Sequence, residues 1–265
     1  MKPQPSGGFE WVQASCGPVL VCAALRPFAD HLFTTRGWAL GFPGAVSDEA
    51  WEPVAAALGV DSTHLIRLHQ VHGASVMVHR AGDRQQPSPP PDADIVITDD
   101  PGSALAIQTA DCVPLLIADR ATGAVAAAHA GWRGLAAGVP RETVAAMARE
   151  FASSPAHLVA AVGPSISAER YEVGEDVRTR FLASGWPPIQ VERWFRPAPL
   201  ADHWWFDGWR SVLDQLELAG VPAVNIHASG LCTATYPELL CSYRRDGQVA
   251  GRIAAAIRVS HATRV

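Results

Sequence analysis

The sequence lacks the features by which secreted and membrane proteins are usually identified. Its longest apolar stretches, such as Ala124–Ala128, are far too short to cross a bilayer. The N-terminal segment MKPQPSGGFEWVQASCG has no continuous apolar stretch of the kind that a signal peptide contains. We therefore expect a cytoplasmic protein that does not bind to membranes.

Ordered cysteine spacing and an excess of basic residues are also absent. The five cysteines are odd in number and include no Cys-x-x-Cys pair, which favours reduced thiols and excludes the commonest structural zinc patterns. The formal net charge of −5 does not favour nucleic-acid binding, which needs a basic surface. Hydrophobic residues make up 48% of the chain, enough for a globular protein with a sizeable core. Small clusters of arginine remain available to bind a small anion.

The middle of the chain reads as a series of buried strands. Strand-like segments cover residues 93–100, 103–110, 113–119 and 123–130, and their nearly continuous aliphatic character predicts a sheet buried on both faces. Several of these strands follow one another without an intervening helix, which favours an α+β fold over a doubly wound sheet. We expect residues 1–15 to be an N-terminal tail and residues 16–265 to form a single domain.

Helices are predicted around these strands. The segment 139–151 fits a helix packed on the sheet, with Pro140 in its first turn. Residues 48–60 predict a short helix capped by Ser47 or Asp48 and ended by Gly59. Two more helices are expected over residues 165–185 and 204–220, and the tryptophans of the second are expected to pack against the protein.

Three residues form a candidate metal site: His72, Cys112 and His129. A catalytic zinc site uses about three ligands drawn from histidine, cysteine and carboxylate, and keeps one position open for a substrate oxygen. Each of the three residues lies where a strand is predicted to end, so a sheet could bring them together. The neighbours are small and leave room for a metal or ligand: Gly73, Ala110, Ala130 and Gly131.

Other interpretations of the same residues remain open. A cysteine in an aliphatic strand is commonly a small core residue, in which case the chain could be a binding protein without catalytic activity. Alternatively, Cys112 could be a nucleophile with His129 as its base and Asp111 or another acid as the orienting group. That second scheme gives His72 no function.

Four segments closely resemble the bacterial laccase-domain family, whose members carry the names multicopper polyphenol oxidase and peptidoglycan editing factor. They are HQVHGASV (69–76), TADCVPLLIADRATGAVAAAHAGWRGLAAGV (109–139), GPSISAERYEVGEDV (163–177) and CTATYPELLCSYRRDG (232–247). The resemblance implies mixed β-sheets packed together with helices outside, and purine nucleoside phosphorylase activity accompanied by adenosine deaminase and methylthioadenosine phosphorylase activity. It also implies one catalytic zinc ion held by His72, Cys112 and His129. The chain departs from the family pattern at Glu169-Arg170 and at Cys241, which affects details of the substrate pocket.

Copper oxidation is disfavoured by the donor residues. The chain contains no His-x-His pair, of which multicopper oxidases use several, and its three methionines offer little for the weak axial ligand of a blue-copper site. The alternatives to phosphorolysis are a metal-free cysteine hydrolase, which the family name peptidoglycan editing factor implies would act on cell-wall peptides, and, less favoured, a copper polyphenol oxidase.

Candidate substrate contacts follow from the needs of phosphorolysis, whose substrates would be purine nucleosides and phosphate. The guanidinium fork binds paired oxygens, so Arg133 is the leading phosphate ligand, followed by Arg36 and Arg244. Asp111 could carry a proton or bond to the ligand shell, and Trp132 could stack on a purine. We treat His69 as a non-ligand.

Overall fold

Two six-stranded sheets packed face to face form the centre of the protein in the computed structural model, which describes residues 2–41, 48–83 and 86–260. The strands of the first sheet, in spatial order, are β1 (Phe9–Ala14), β2 (Gly17–Cys22), β3 (Ala29–Phe33), β15 (Ile253–Val259), β7 (Ala104–Thr109) and β4 (Leu65–Arg67). Their pairs are antiparallel except for β4 and β7, which run parallel.

The second sheet carries most of the predicted central strands. In spatial order they are β14 (Ile226–Ala228), β10 (Leu158–Val162), β8 (Val113–Asp119), β9 (Val125–Ala130), β6 (Ile95–Thr98) and β5 (Val76–His79). The outer pairs β10–β14 and β5–β6 are parallel and the inner pairs are antiparallel. A small antiparallel sheet contains β11 (Glu172–Gly174), β13 (His203–Phe206) and β12 (Phe195–Pro197).

Burial on both faces of the second sheet explains its aliphatic sequence. Successive strand side chains point to opposite faces. In β8, Leu116 and Ala118 therefore join the core between the two large sheets, while Leu115 and Ile117 join the core on the other face. The expected α+β domain of mixed sheets packed together is confirmed.

Helices cover the outer faces of the two large sheets. Those assigned within the described residues are α1 (Glu52–Ala57), α2 (Trp132–Ala137), α3 (Val139–Phe151), α4 (Glu175–Ala183), α5 (Pro188–Trp194), α6 (Gly208–Leu218) and α7 (Tyr243–Asp246). The helix α3 matches the prediction for 139–151 and packs on β9 and β6. In the part of the chain that the structure describes, no helix is long and apolar enough to span a membrane.

Some predicted elements were wrong in type or extent. Residues 9–14, expected in a tail, form β1, because their backbone pairs with β2 and Phe9 is buried. The helix expected over 165–185 is limited to α4, since 172–174 pair with β13 instead. In 204–220, Trp204 and Trp205 belong to β13 and the helix begins only at Gly208. The helix expected over 48–60 covers α1 alone, preceded by a 3-10 turn; its proposed cap Ser47 lies outside the described residues.

Candidate metal centre

The register of the second sheet brings Cys112 and His129 together. Pro114 of β8 lies opposite His129 of β9 in an antiparallel pair. Cys112 comes two residues before Pro114, so the chain places its thiol beside the end of β9. The close approach is therefore dictated by strand pairing and does not depend on a flexible loop.

His72 reaches the same place from a turn that precedes β5. The parallel pair β5–β6 aligns Val76 with Ile95, so the residues before each strand lie close together. His72 adopts a φ of +62°, a left-handed conformation that is uncommon for a residue with a side chain. Its backbone N–H donates to Asp94 Oδ1 at 3.0 Å, which holds this turn. Unusual backbone of this kind is concentrated at functional sites.

The three side chains form a compact donor set. Cys112 Sγ lies 3.9 Å from His72 Nε2, and the two imidazole rings meet edge to face with centroids 4.8 Å apart. One ligand atom from each residue lies within 4.8 Å of the others. Among the described residues, this is the one group of three or more histidine, cysteine or acidic side chains that meets this condition. Two nitrogens and one sulfur suit zinc.

Asp94 supports this donor set from behind. It is completely buried, and its Oδ1 accepts a hydrogen bond of 2.8 Å from His129 Nδ1. The same carboxylate accepts the backbone N–H groups of Val71, His72 and Gly73. The bond to Nδ1 leaves Nε2 of His129 for a metal, which is the usual carboxylate–histidine–metal arrangement.

Charge interactions favour a thiolate at Cys112. Burial works against its charged form, but His129 and then His72 lower the pKa of the Cys112 thiol below its ordinary value. Burial also opposes a charged imidazole at His129, but the Cys112 thiolate and Asp94 raise its pKa. Burial likewise opposes ionisation of Asp94, while the hydrogen bond from His129 keeps its pKa low. A thiolate is the form of cysteine that binds metals.

Gly131 makes room for the donor set. A Cβ atom at this position would lie 2.9 Å from His72 Cδ2 and 3.0 Å from Cys112 Sγ. Its φ of −71° is one that any residue can adopt, so only the lack of space requires glycine.

Gly131→Ala is therefore expected to lower metal affinity by about 10-fold or more, in the range seen when groups around a metal site are disturbed. The added methyl group pushes His72 and Cys112 apart without straining the backbone. Zinc titration against a competing chelator measures the change. Gly37→Ala is the control, because a Cβ there meets no atom closer than 3.7 Å. Equal zinc affinity in the two variants would contradict this role for Gly131.

A cavity of about 550 Å³ opens above the three side chains, within the size range of small-molecule sites. Arg133, Arg244 and Arg252 line it, whereas Asp111 is the one acidic residue among the described lining residues. Arg133 lies over the Trp132 ring at 4.3 Å and Arg244 over the Tyr171 ring at 5.1 Å. The aromatic faces restrict both guanidinium groups, and the cavity wall suits an anion.

Of the other residues considered at the sequence level, some line this cavity and one does not. Arg36 does not line this cavity, because its guanidinium bonds to Pro237 O and to Asp246. Asp111 lines it, but its carboxylate already accepts from Thr233 Oγ1 and from the backbone N–H of Arg244. Trp132 lines it with Arg133 against its ring, and His69 lines it while bonded to Asp92.

Sequence reasoning missed four residues of this region: Asp94, Tyr171, Arg252 and Gln108. The signal for Asp94 was a carboxylate directly before the strongly apolar run Ile95–Ile97. Burial raises the pKa of the Tyr171 phenol, so its hydroxyl stays protonated and can donate. Burial also lowers the pKa of Arg252, whose charge would be stabilised by an anion in the cavity.

Comparisons with known proteins give consistent results. Residues 43–260 match the family model described as multi-copper polyphenol oxidoreductase laccase. A purine nucleoside phosphorylase of Streptomyces coelicolor is 41% identical over 81% of this chain and 83% of its own length. One of Deinococcus radiodurans is 38% identical over 86% of this chain and 88% of its own. The crystal structure of the Bacillus licheniformis hypothetical protein YfiH superposes with a TM-score of 0.85 at 25% identity, covering 94% of this chain and 99% of that one.

Proposed function

The chain belongs to the multi-copper polyphenol oxidoreductase laccase family, and we propose that it is a zinc-dependent purine nucleoside phosphorylase. It would cleave adenosine, inosine or guanosine with phosphate to give the free base and ribose 1-phosphate. The observation that carries this proposal is the His72–Cys112–His129 group at the base of a cavity lined by three arginines. The names of the relatives support the same reaction.

The arginines would bind and orient phosphate. Arg133 and Arg244 are held against aromatic rings, and Arg252 is half-buried with its Nη1 bonded to the carbonyls of Ala250 and Gly251. Guanidinium groups bind paired phosphate oxygens, and groups fixed in advance lose little freedom on binding. A phosphate oxygen then forms a bond to C1′ while the bond from C1′ to the base breaks, and the base leaves with the electron pair and takes up a proton.

The remaining residues would order and protonate the site. His72, Cys112 and His129 would hold the zinc ion, which when bound supplies Lewis-acid polarisation of an oxygen ligand. Asp94 keeps His129 in the tautomer that leaves Nε2 free. Asp111 fastens the Arg244 segment to the strand end, so it acts here mainly as a positioning residue. The protonated Tyr171 hydroxyl can donate to a substrate oxygen. Adenosine deamination and methylthioadenosine phosphorolysis are proposed as side activities of the same cavity.

The lowered pKa of Cys112 beside His129 also favours a second candidate, a cysteine hydrolase that acts without metal. In that scheme the thiolate attacks a carbonyl carbon of a cell-wall peptide, His129 protonates the leaving amine, and water then hydrolyses the acyl-thioester to release the acid and free Cys112. Alkylation of Cys112 would then abolish activity in protein from which metal has been removed.

One preparation tests the proposal through two measurements. We expect about one zinc ion per chain by elemental analysis, consistent with a single three-ligand site. Inosine and adenosine should yield free base and ribose 1-phosphate only when phosphate is present, and ammonia release from adenosine measures deamination. Absence of both zinc and nucleoside turnover would overturn the proposal, and copper with oxygen uptake would support the oxidase alternative.

A further inference from the structure

Gln108 stands between two neighbouring cavities. The 550 Å³ cavity above the metal ligands and a second cavity of about 130 Å³ share three lining residues, Leu68, Gln70 and Gln108. The smaller cavity is also lined by Trp51, Arg67, Pro90 and Ala106. Gln108 lies in β7, four residues before Cys112, and lines the same cavity as the metal ligands.

The backbone of Gln108 is clamped. Gln70 Nε2 donates to its carbonyl oxygen at 2.9 Å, and its N–H donates to Gln70 Oε1 at 2.8 Å. The Gln70 side-chain amide thus pairs with the backbone of β7 just beyond the end of β4. Both ends of its amide are used in this way, so Gln70 has little capacity left for a ligand. The backbone of Gln108 is therefore held in place, while its own side chain takes no part in these two bonds.

The side-chain amide of Gln108 has no hydrogen-bond partner within the described residues. Its Oε1 is shielded from solvent and unpaired, as is Nε of Arg67, which lines the smaller cavity. Buried polar atoms usually have partners, and leaving one unpaired is costly. An unpaired amide on a residue that lines the 550 Å³ cavity can turn toward a polar ligand bound there.

We propose that Gln108 is the residue that recognises the purine base, pairing with N1 and with the substituent on C6; this rests on the proposed phosphorylase function. A glutamine amide offers one acceptor and one donor side by side. In inosine or guanosine, Oε1 accepts N1–H and the amide N–H donates to O6. In adenosine the amide turns over, so Oε1 accepts from the amino group and the N–H donates to N1. Because no group among the described residues fixes the amide orientation, one residue serves both purine classes.

Purine riboside separates this role from a general effect on the site, because it has no substituent on C6 and can form only the hydrogen bond from the amide N–H to N1. Gln108→Leu is expected to lower kcat/KM for inosine and for adenosine by roughly 10- to 100-fold, the usual effect of losing a paired amide–base contact. With purine riboside it should lower kcat/KM less, because only the hydrogen bond to N1 is lost. Gln13→Leu is the matched control, since Gln13 is exposed on β1 and, among the described residues, its side chain bonds only to Ala14 O.

Calorimetry with the free bases provides a readout that does not require turnover. Gln108→Leu should weaken the binding of hypoxanthine and adenine about 10-fold or more and that of unsubstituted purine less, with unaltered zinc content and unfolding temperature. Equal loss for all three bases, or no loss, would overturn this role even if phosphorolysis is established. Base binding that depends on Gln108, in a protein that forms no ribose 1-phosphate, would support the inference and refute the phosphorylase function.

Discussion

Replacing His72 with alanine is expected to remove the metal and lower phosphorolysis as completely as Cys112→Ala or His129→Ala does. Loss of one of three ligands should exceed the roughly 10- to 100-fold loss of metal affinity that follows removal of an outer partner. His72 is the decisive residue, because the thiolate–imidazole scheme of Cys112 and His129 does not need it. Zinc content and inosine phosphorolysis, measured on the same samples, should fall together.

The comparison of the three variants separates the two candidate mechanisms. Retained turnover in His72→Ala together with loss in Cys112→Ala would favour a metal-free cysteine nucleophile. Cys16→Ala is the control for removal of a thiol, since Cys16 is exposed. It should retain both zinc and activity, and a parallel loss there would indicate a general effect of cysteine substitution.

Asp94→Asn is expected to give the second large effect, on metal affinity and on stability together. The carboxylate accepts four N–H groups, three from the turn at 71–73 and one from His129. Asparagine can accept at only one side-chain atom, and its NH₂ group would face a donor. We expect zinc affinity to fall about 10- to 100-fold. The free energy of unfolding should fall by about 3 kcal/mol, because buried donors lose their partners.

Denaturant unfolding and zinc competition measure these two quantities. Asp92→Asn is the matched control two residues away, because the exposed pair of Asp92 with His69 should contribute about 1 kcal/mol or less. If Asp94→Asn behaves like the control in both measurements, the role of Asp94 in orienting His129 is refuted.

The metal-site residues and the core strands could be predicted because both are marked by patterns in neighbouring residues. His72, Cys112 and His129 each lie at or near a strand end, and the structure brings all three together. The apolar strands of the second sheet and the helix α3 were readable because burial on both faces and helical periodicity leave direct marks on the sequence.

The residues that the sequence did not reveal depend on pairings between distant segments. Asp94 reaches His129 only through the β6–β9 register, and Arg252 reaches the cavity only because β15 lies beside β7. Arg36 was predicted as a phosphate ligand, but its guanidinium is paired with Asp246 from a distant part of the chain. The segment 9–14 was read as a tail since a strand at a sheet edge carries few buried side chains.

The position of β15 has a consequence for how the chain folds during synthesis. This strand is translated last among those described, yet it lies between β3 and β7 in the first sheet. Until it emerges from the ribosome, both neighbours present unpaired edges that can associate with other chains. Closing the sheet joins segments far apart in sequence, which is typical of slow folding. Arg252 directly precedes β15, so the arginine-lined wall of the cavity is completed only when this strand joins the sheet.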